Sequence, residues 1–116
     1  MKRLWAAAAL LVLAAMGGVQ AQDYPTRTVT IIVPFAAGGP ADVMGRIAAD
    51  ILSRHLGQSF VIENVAGAGG TVGATRAARA NPDGYTLLAG HMGTNALAPV
   101  FYPNLGYDPE KDFEPV

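Results

Sequence analysis

The sequence predicts an α/β fold on a parallel sheet, and three observations carry that expectation. Short strand-like runs alternate with stretches of helical periodicity, in the order strand, helix, strand, helix, strand. The first run, Val29 to Val33, is β-branched at every position, as suits a strand buried on both faces. Each strand is followed by a loop of small residues, and these loops fall at the carboxyl ends of the strands.

The elements are read from Gln22 onward, because residues 1–21 read as a secretory signal peptide. Lys2 and Arg3 are its basic start, Leu4 to Met16 an unbroken apolar run, and Val19-Gln20-Ala21 a small-residue cleavage site. The run is too short for the roughly 20 residues that span a bilayer. Pro34 stops the first strand, predicted over 28–33. Pro40 fits a first helical turn. The following helix is predicted over 41–56. Its apolar stripe (Met44, Ile47, Ala48, Ile51, Leu52, Leu56) is expected to bury against the sheet, with Asp42, Arg46, Asp50 and Ser53 largely opposite. Gly57 is a ready C-cap. A second strand is predicted over 59–63, a short alanine-rich helix over 70–80, a turn at Asn81-Pro82-Asp83-Gly84 and a third strand over 85–89. Residues 90–95 read as a loop, 96–101 as one helical turn and 102–112 as loop. The unit ends before any return element, so the chain is expected to be the front part of a larger protein.

Composition narrows the function. The 116 residues include 14 Gly, 8 Pro and no Cys, which excludes a disulfide framework and a thiolate metal site. Eight basic residues nearly balance nine acidic ones, against the basic footprint that nucleic acid demands. Without Lys2 and Arg3 the formal charge is −3, with six basic and nine acidic groups. No metal-ligand cluster, activated nucleophile or catalytic set is visible, so neither catalytic residues, a metal nor a cofactor is expected.

The loops carry the functional signal. Segments 36–41 and 66–71 each join a strand to a helix. Glycines there let backbone N–H groups face a ligand closely, and a helix start adds unsatisfied N–H groups. Two such loops at one sheet edge suit a carboxylate or phosphate. Neither contains Lys or Arg, so the anion is expected to rest on main-chain donors. Asp42 is expected to turn away from it and cap local N–H groups, paired with Arg46 one turn on. His91 is a candidate donor in the third loop. The run Gly67-Ala68-Gly69-Gly70-Thr71-Val72-Gly73 also invites a nucleotide-binding enzyme, but its third glycine arrives one place late and no acidic residue ends the next strand. A purely structural fragment is a further alternative.

Several spaced segments carry a family resemblance over nearly the whole chain after residue 21. They are Tyr24-Pro25, Ile32-Val33-Pro34-Phe35 with Gly38-Gly39-Pro40 and Asp42, Val61 with Glu63-Asn64 running into Gly67-Ala68-Gly69-Gly70, Ala80 with Pro82-Asp83-Gly84-Tyr85-Thr86-Leu87, and Tyr107-Asp108-Pro109 with Lys111-Asp112-Phe113. Together they resemble the periplasmic solute-binding proteins of the tripartite tricarboxylate transporter type, the Bordetella uptake gene family. The resemblance implies the first α/β lobe of a Venus flytrap, over 22–116, without its second lobe. It implies a periplasmic binder that captures a small carboxylate solute and passes it to integral membrane subunits; a monomer is expected. By similarity the ligand contacts would come from Phe35, Ala37, Gly38, Gly39 and Asp42, from Asn64, Gly67, Ala68, Gly69, Gly70 and Thr71, and from Thr94 and Asn95 in the third loop. Ala41 stands where many relatives place Ser or Thr, and Ala36-Ala37 where a proline is frequent.

Overall fold

The computed structural model describes residues 23–116; the signal peptide expected over 1–21 lies outside the described residues. The chain runs β1 (Val29–Val33), α1 (Pro40–Leu56), β2 (Phe60–Asn64), α2 (Thr71–Ala78), β3 (Thr86–Leu88) and α3 (Ala98–Phe101). The strands form one sheet in the order β2-β1-β3, and both pairings are parallel. Val29 lies opposite Phe60 and Val33 opposite Asn64, while Ile31 lies opposite Leu87. The expected strand–helix alternation is therefore present, with β1 central.

Pairing explains where the strand ends differ from expectation. Parallel register with Val33 carries β2 one residue past the expected end at Glu63, to the polar Asn64. β3 is the shorter strand, at three residues. Near the end, residues 93–97 form a π-helical turn that continues into α3, where a loop had been expected up to Asn95. Pro99 supplies the physical reason. It has no N–H to give the carbonyl of Asn95, four residues back, so the α-helical ladder is interrupted there, and Pro99 is accommodated in the first turn of α3.

One face of the sheet packs on α1. Val29, Ile31, Ala49 and Phe60 are buried together, flanked by Leu52, Ile62, Tyr85, Leu87 and Ala89. The other face packs on α2 and the final segment, through Ala74, Ala98 and Tyr107 with Ala78, Leu88, Leu105 and Phe113. Gly57 ends α1 in the left-handed region at φ +70°, as expected of a C-cap.

The orientation of α1 overturns one expectation. Its buried residues are Asp42, Gly45 and Ala49, not the large apolar stripe. Met44, Ile47 and Ile51 are 65%, 49% and 47% exposed. Close approach decides this. A Cβ on Gly45 would stand 2.8 Å from Val33 Cγ2 and 3.4 Å from Ile62 Cδ1. The helix lies flat on the sheet through its small residues; of the stripe, Leu52 packs against the core while Met44, Ile47, Ile51 and Leu56 face away.

Candidate functional site

The three loops at the carboxyl ends of the strands meet. Buried Pro34 ends β1 and delivers Phe35 to the sheet edge. The Phe35 ring stacks on His91 of the third loop, with centroids 4.7 Å apart and planes at 28°. Gly70, in the second loop, is buried between the first and third. A Cβ there would stand 2.9 Å from both Phe35 Cζ and Thr94 Cγ2, and its φ is +95°. Only glycine fits that junction.

Asp42 organises the first loop. It is 3% exposed, at the start of α1. Its Oδ2 accepts the backbone N–H of Gly38 at 2.8 Å and Arg46 Nε–H at 2.9 Å. Its Oδ1 accepts from Asn64 Nδ2 at 2.9 Å. The same Asn64 amide donates to Phe35 O at 3.1 Å, and Asn64 Oδ1 accepts from Arg46 Nη2 at 3.4 Å. The Arg46 bond, then the Gly38 N–H and Asn64, hold the Asp42 carboxyl down from 3.8 to about 2. The same carboxylate raises the pKa of Arg46. Asp42 is thus ionised, buried and capping, and Asn64 spends its side chain on the same cluster.

The second loop is a run of unusual backbone. Gly67, Ala68, Gly69 and Gly70 all have positive φ, at 141°, 45°, 65° and 95°. A 3₁₀ turn over Ala68–Gly70 leads into α2, where Thr71 Oγ1 donates to Ala68 O at 2.9 Å. Tyr102 reaches this loop from beyond α3; a Cβ on Gly69 would stand 2.9 Å from its Oη.

In the third loop, Thr94 is fully buried. Its Oγ1 accepts the N–H of His91 at 3.1 Å and lies 2.9 Å from Asn95 Oδ1, and its carbonyl accepts from Tyr107 O–H at 2.6 Å. Thr94 therefore braces the loop from inside, while Asn95 is exposed on it. His91 Nδ1 accepts the N–H of Gly93 at 2.7 Å, which leaves the ring proton of the neutral form on Nε2.

What the edge offers a ligand is main-chain hydrogen. Among the described residues, the N–H groups of Ala36 and Ala37 in the first loop and of Ala66, Gly67, Ala68 and Gly69 in the second have no acceptor. Ala37, Gly67, Ala68 and Gly69 are exposed, Gly39 is half-buried at the N-cap of α1, and Gly38 has its N–H engaged by Asp42. No described group of His, Asp and Glu is arranged to hold a metal ion. No described helix is long and apolar enough to cross a membrane. A separate open cleft of about 900 Å³ runs beside α2, lined by Thr30, Glu63, Thr75, Arg76, Arg79 and Thr86. It shares only Thr71 with the residues expected to touch ligand.

The i,i+4 spacing of Asp42 and Arg46 foretold their pair. Sequence reasoning missed the Asn64 link, the Phe35–His91 stack and the reach of Tyr102. Each joins residues distant in the chain, and no local pattern signals them.

Comparison with known proteins agrees with this architecture. Residues 44–116 match the family model described as tripartite tricarboxylate transporter family receptor. A UPF0065 protein of Agrobacterium vitis is 52% identical over 98 residues, covering 84% of this chain and 28% of its own length. The solved structure of MatC from Rhodopseudomonas palustris with bound malate is 53% identical, with a TM-score of 0.77 over 80% of this chain and 32% of that one. Rpa4515 of the same organism, solved with adipate, is 45% identical, with a TM-score of 0.73 over 76% of this chain and 29% of that one. The chain thus spans less than a third of the length of these relatives. With the family model matched from the first turns of α1 to Val116, and one lobe of the binding-protein fold reproduced around it, the chain belongs to the tripartite tricarboxylate transporter family receptors.

Proposed function

We propose that this chain forms the ligand-holding edge of the first lobe of a solute receptor, one that captures a small carboxylate-bearing compound for a membrane transporter. The observation that carries the reading is the pair of neighbouring loops that leave the N–H groups of Ala36, Ala37 and Ala66 to Gly69 without an acceptor and contain no cationic side chain. A charge-assisted hydrogen bond is roughly twice as strong as a neutral one. Several aimed N–H groups therefore replace a salt bridge. That MatC was solved with malate and Rpa4515 with adipate supports a dicarboxylate as the ligand class.

The protein is periplasmic, as are the solved periplasmic transporter and periplasmic binding protein BugD that it resembles. In our reading residues 1–21 direct its export and are cleaved after Ala21, residues 22–116 form the first lobe, the receptor works as a monomer, and integral membrane subunits take the solute from it. The role is binding and not catalysis.

Calorimetry on the full-length product of the gene tests this, with malate, adipate, citrate and a nicotinamide dinucleotide as titrants. Saturable heat with a carboxylate and none with the dinucleotide is expected. Tight dinucleotide binding without carboxylate heat would overturn the reading.

A further inference from the structure

An ionised carboxylate beside an anion site is a contradiction that the molecule must resolve. Asp42 Oδ2 holds the N–H of Gly38, the next residue after the free donor Ala37. Like charges repel, and burial weakens the solvent screening that would hide the effect. Gly38 and Asn64 donate to Asp42 but bring no net charge to it. The guanidinium of Arg46 does, through Nε at 2.9 Å, and its Nη2 closes the ring onto Asn64. Asn64 in turn holds Phe35 O, so the same ring ties the end of β2, where the second loop departs, to the base of the first.

We propose that Arg46 is a charge-compensating positioning residue for the anion site. It does not touch the ligand. It cancels the Asp42 carboxylate, so that Asp42 can fix the first loop without repelling an incoming anion. The depressed titration of Asp42 accords with this arrangement. The proposal rests on the carboxylate-binding reading above, and its test separates the two.

The test is a cycle of Arg46→Gln, Asp42→Asn and the double variant in the full-length protein. Succinate is the calorimetric probe, and circular dichroism confirms folding. Arg46→Gln leaves a lone buried carboxylate, so affinity is expected to fall about tenfold or more at low salt, less as salt screens the charge. The double variant removes both charges but keeps only one acceptor at position 42, so it is expected to bind about threefold or more tighter than Arg46→Gln without reaching the parent, an order-of-magnitude figure. A direct ligand contact, or a purely structural Arg46, predicts a double variant at least as weak as Arg46→Gln; that result overturns the proposal. If the parent binds no carboxylate at all, the functional reading fails instead, and carbon NMR of the Asp42 carboxyl decides the compensating role without ligand. A midpoint that rises on Arg46→Gln supports it, and an unchanged midpoint contradicts it.

Discussion

Ala68 sits at φ +45° between glycines, in a region that costs an L-residue free energy. Ala68→Gly is expected to stabilise the fold by about 1 kcal/mol, reduced by the extra freedom of glycine in the unfolded chain, as measured by urea denaturation. Gly39 offers a cleaner probe of ligand approach than Gly69. Its φ is −80°, and a Cβ there meets only Ala36 O, at 3.5 Å. Gly39→Ala should therefore leave the fold intact and weaken carboxylate affinity about tenfold, or about 1.4 kcal/mol. Gly69→Val would strain a backbone at φ +65° and collide with Tyr102, confounding stability with binding. Asp42 also sets an acid limb. Its carboxyl is held at about 2, below its ordinary 3.8. Between those values the unfolded chain binds the extra proton, so the stability from this group is present above about pH 4 and lost as pH falls toward 2. Asp42→Asn should flatten that part of an acid-denaturation curve; an unchanged curve would show that Asp42 is not a stabilising group.

At the scale of elements, the parallel sheet was legible because a β-branched run and its spacing from two further runs leave few topologies. The end of β2 was less so, since Asn64 is a strand residue through pairing with β1 rather than through its own propensity. The face of α1 was misread for a definite reason. Periodicity weighs apolar bulk, but Gly45 and Ala49 win the sheet by being small. Two substitutions in α1 test this. Ala49→Leu overpacks the sheet contact and should cost about 1–3 kcal/mol. Ile51→Glu, although it charges a residue of the expected core stripe, should stay within about 0.5 kcal/mol. The reverse order would return the stripe to the core. Within the site, the glycine loops and the Asp42–Arg46 pair were readable locally. Their union through Asn64, 22 positions from Asp42, is tertiary and was not.

For the molecule as a whole, the fold places three loops at one edge, and in the reading proposed above backbone rather than side chains would face the ligand. Tyr107 and Thr94 brace that edge from the α2 side, and the Asp42 ring braces it from the α1 side. The most direct test of this account is an amide-resolved NMR titration of the full-length protein with malate. The account predicts saturable shifts largest at the N–H groups of Ala36, Ala37 and Ala66 to Gly69. Shifts concentrated instead on Arg76, Arg79 and the cleft beside α2, with those loops silent, would contradict it.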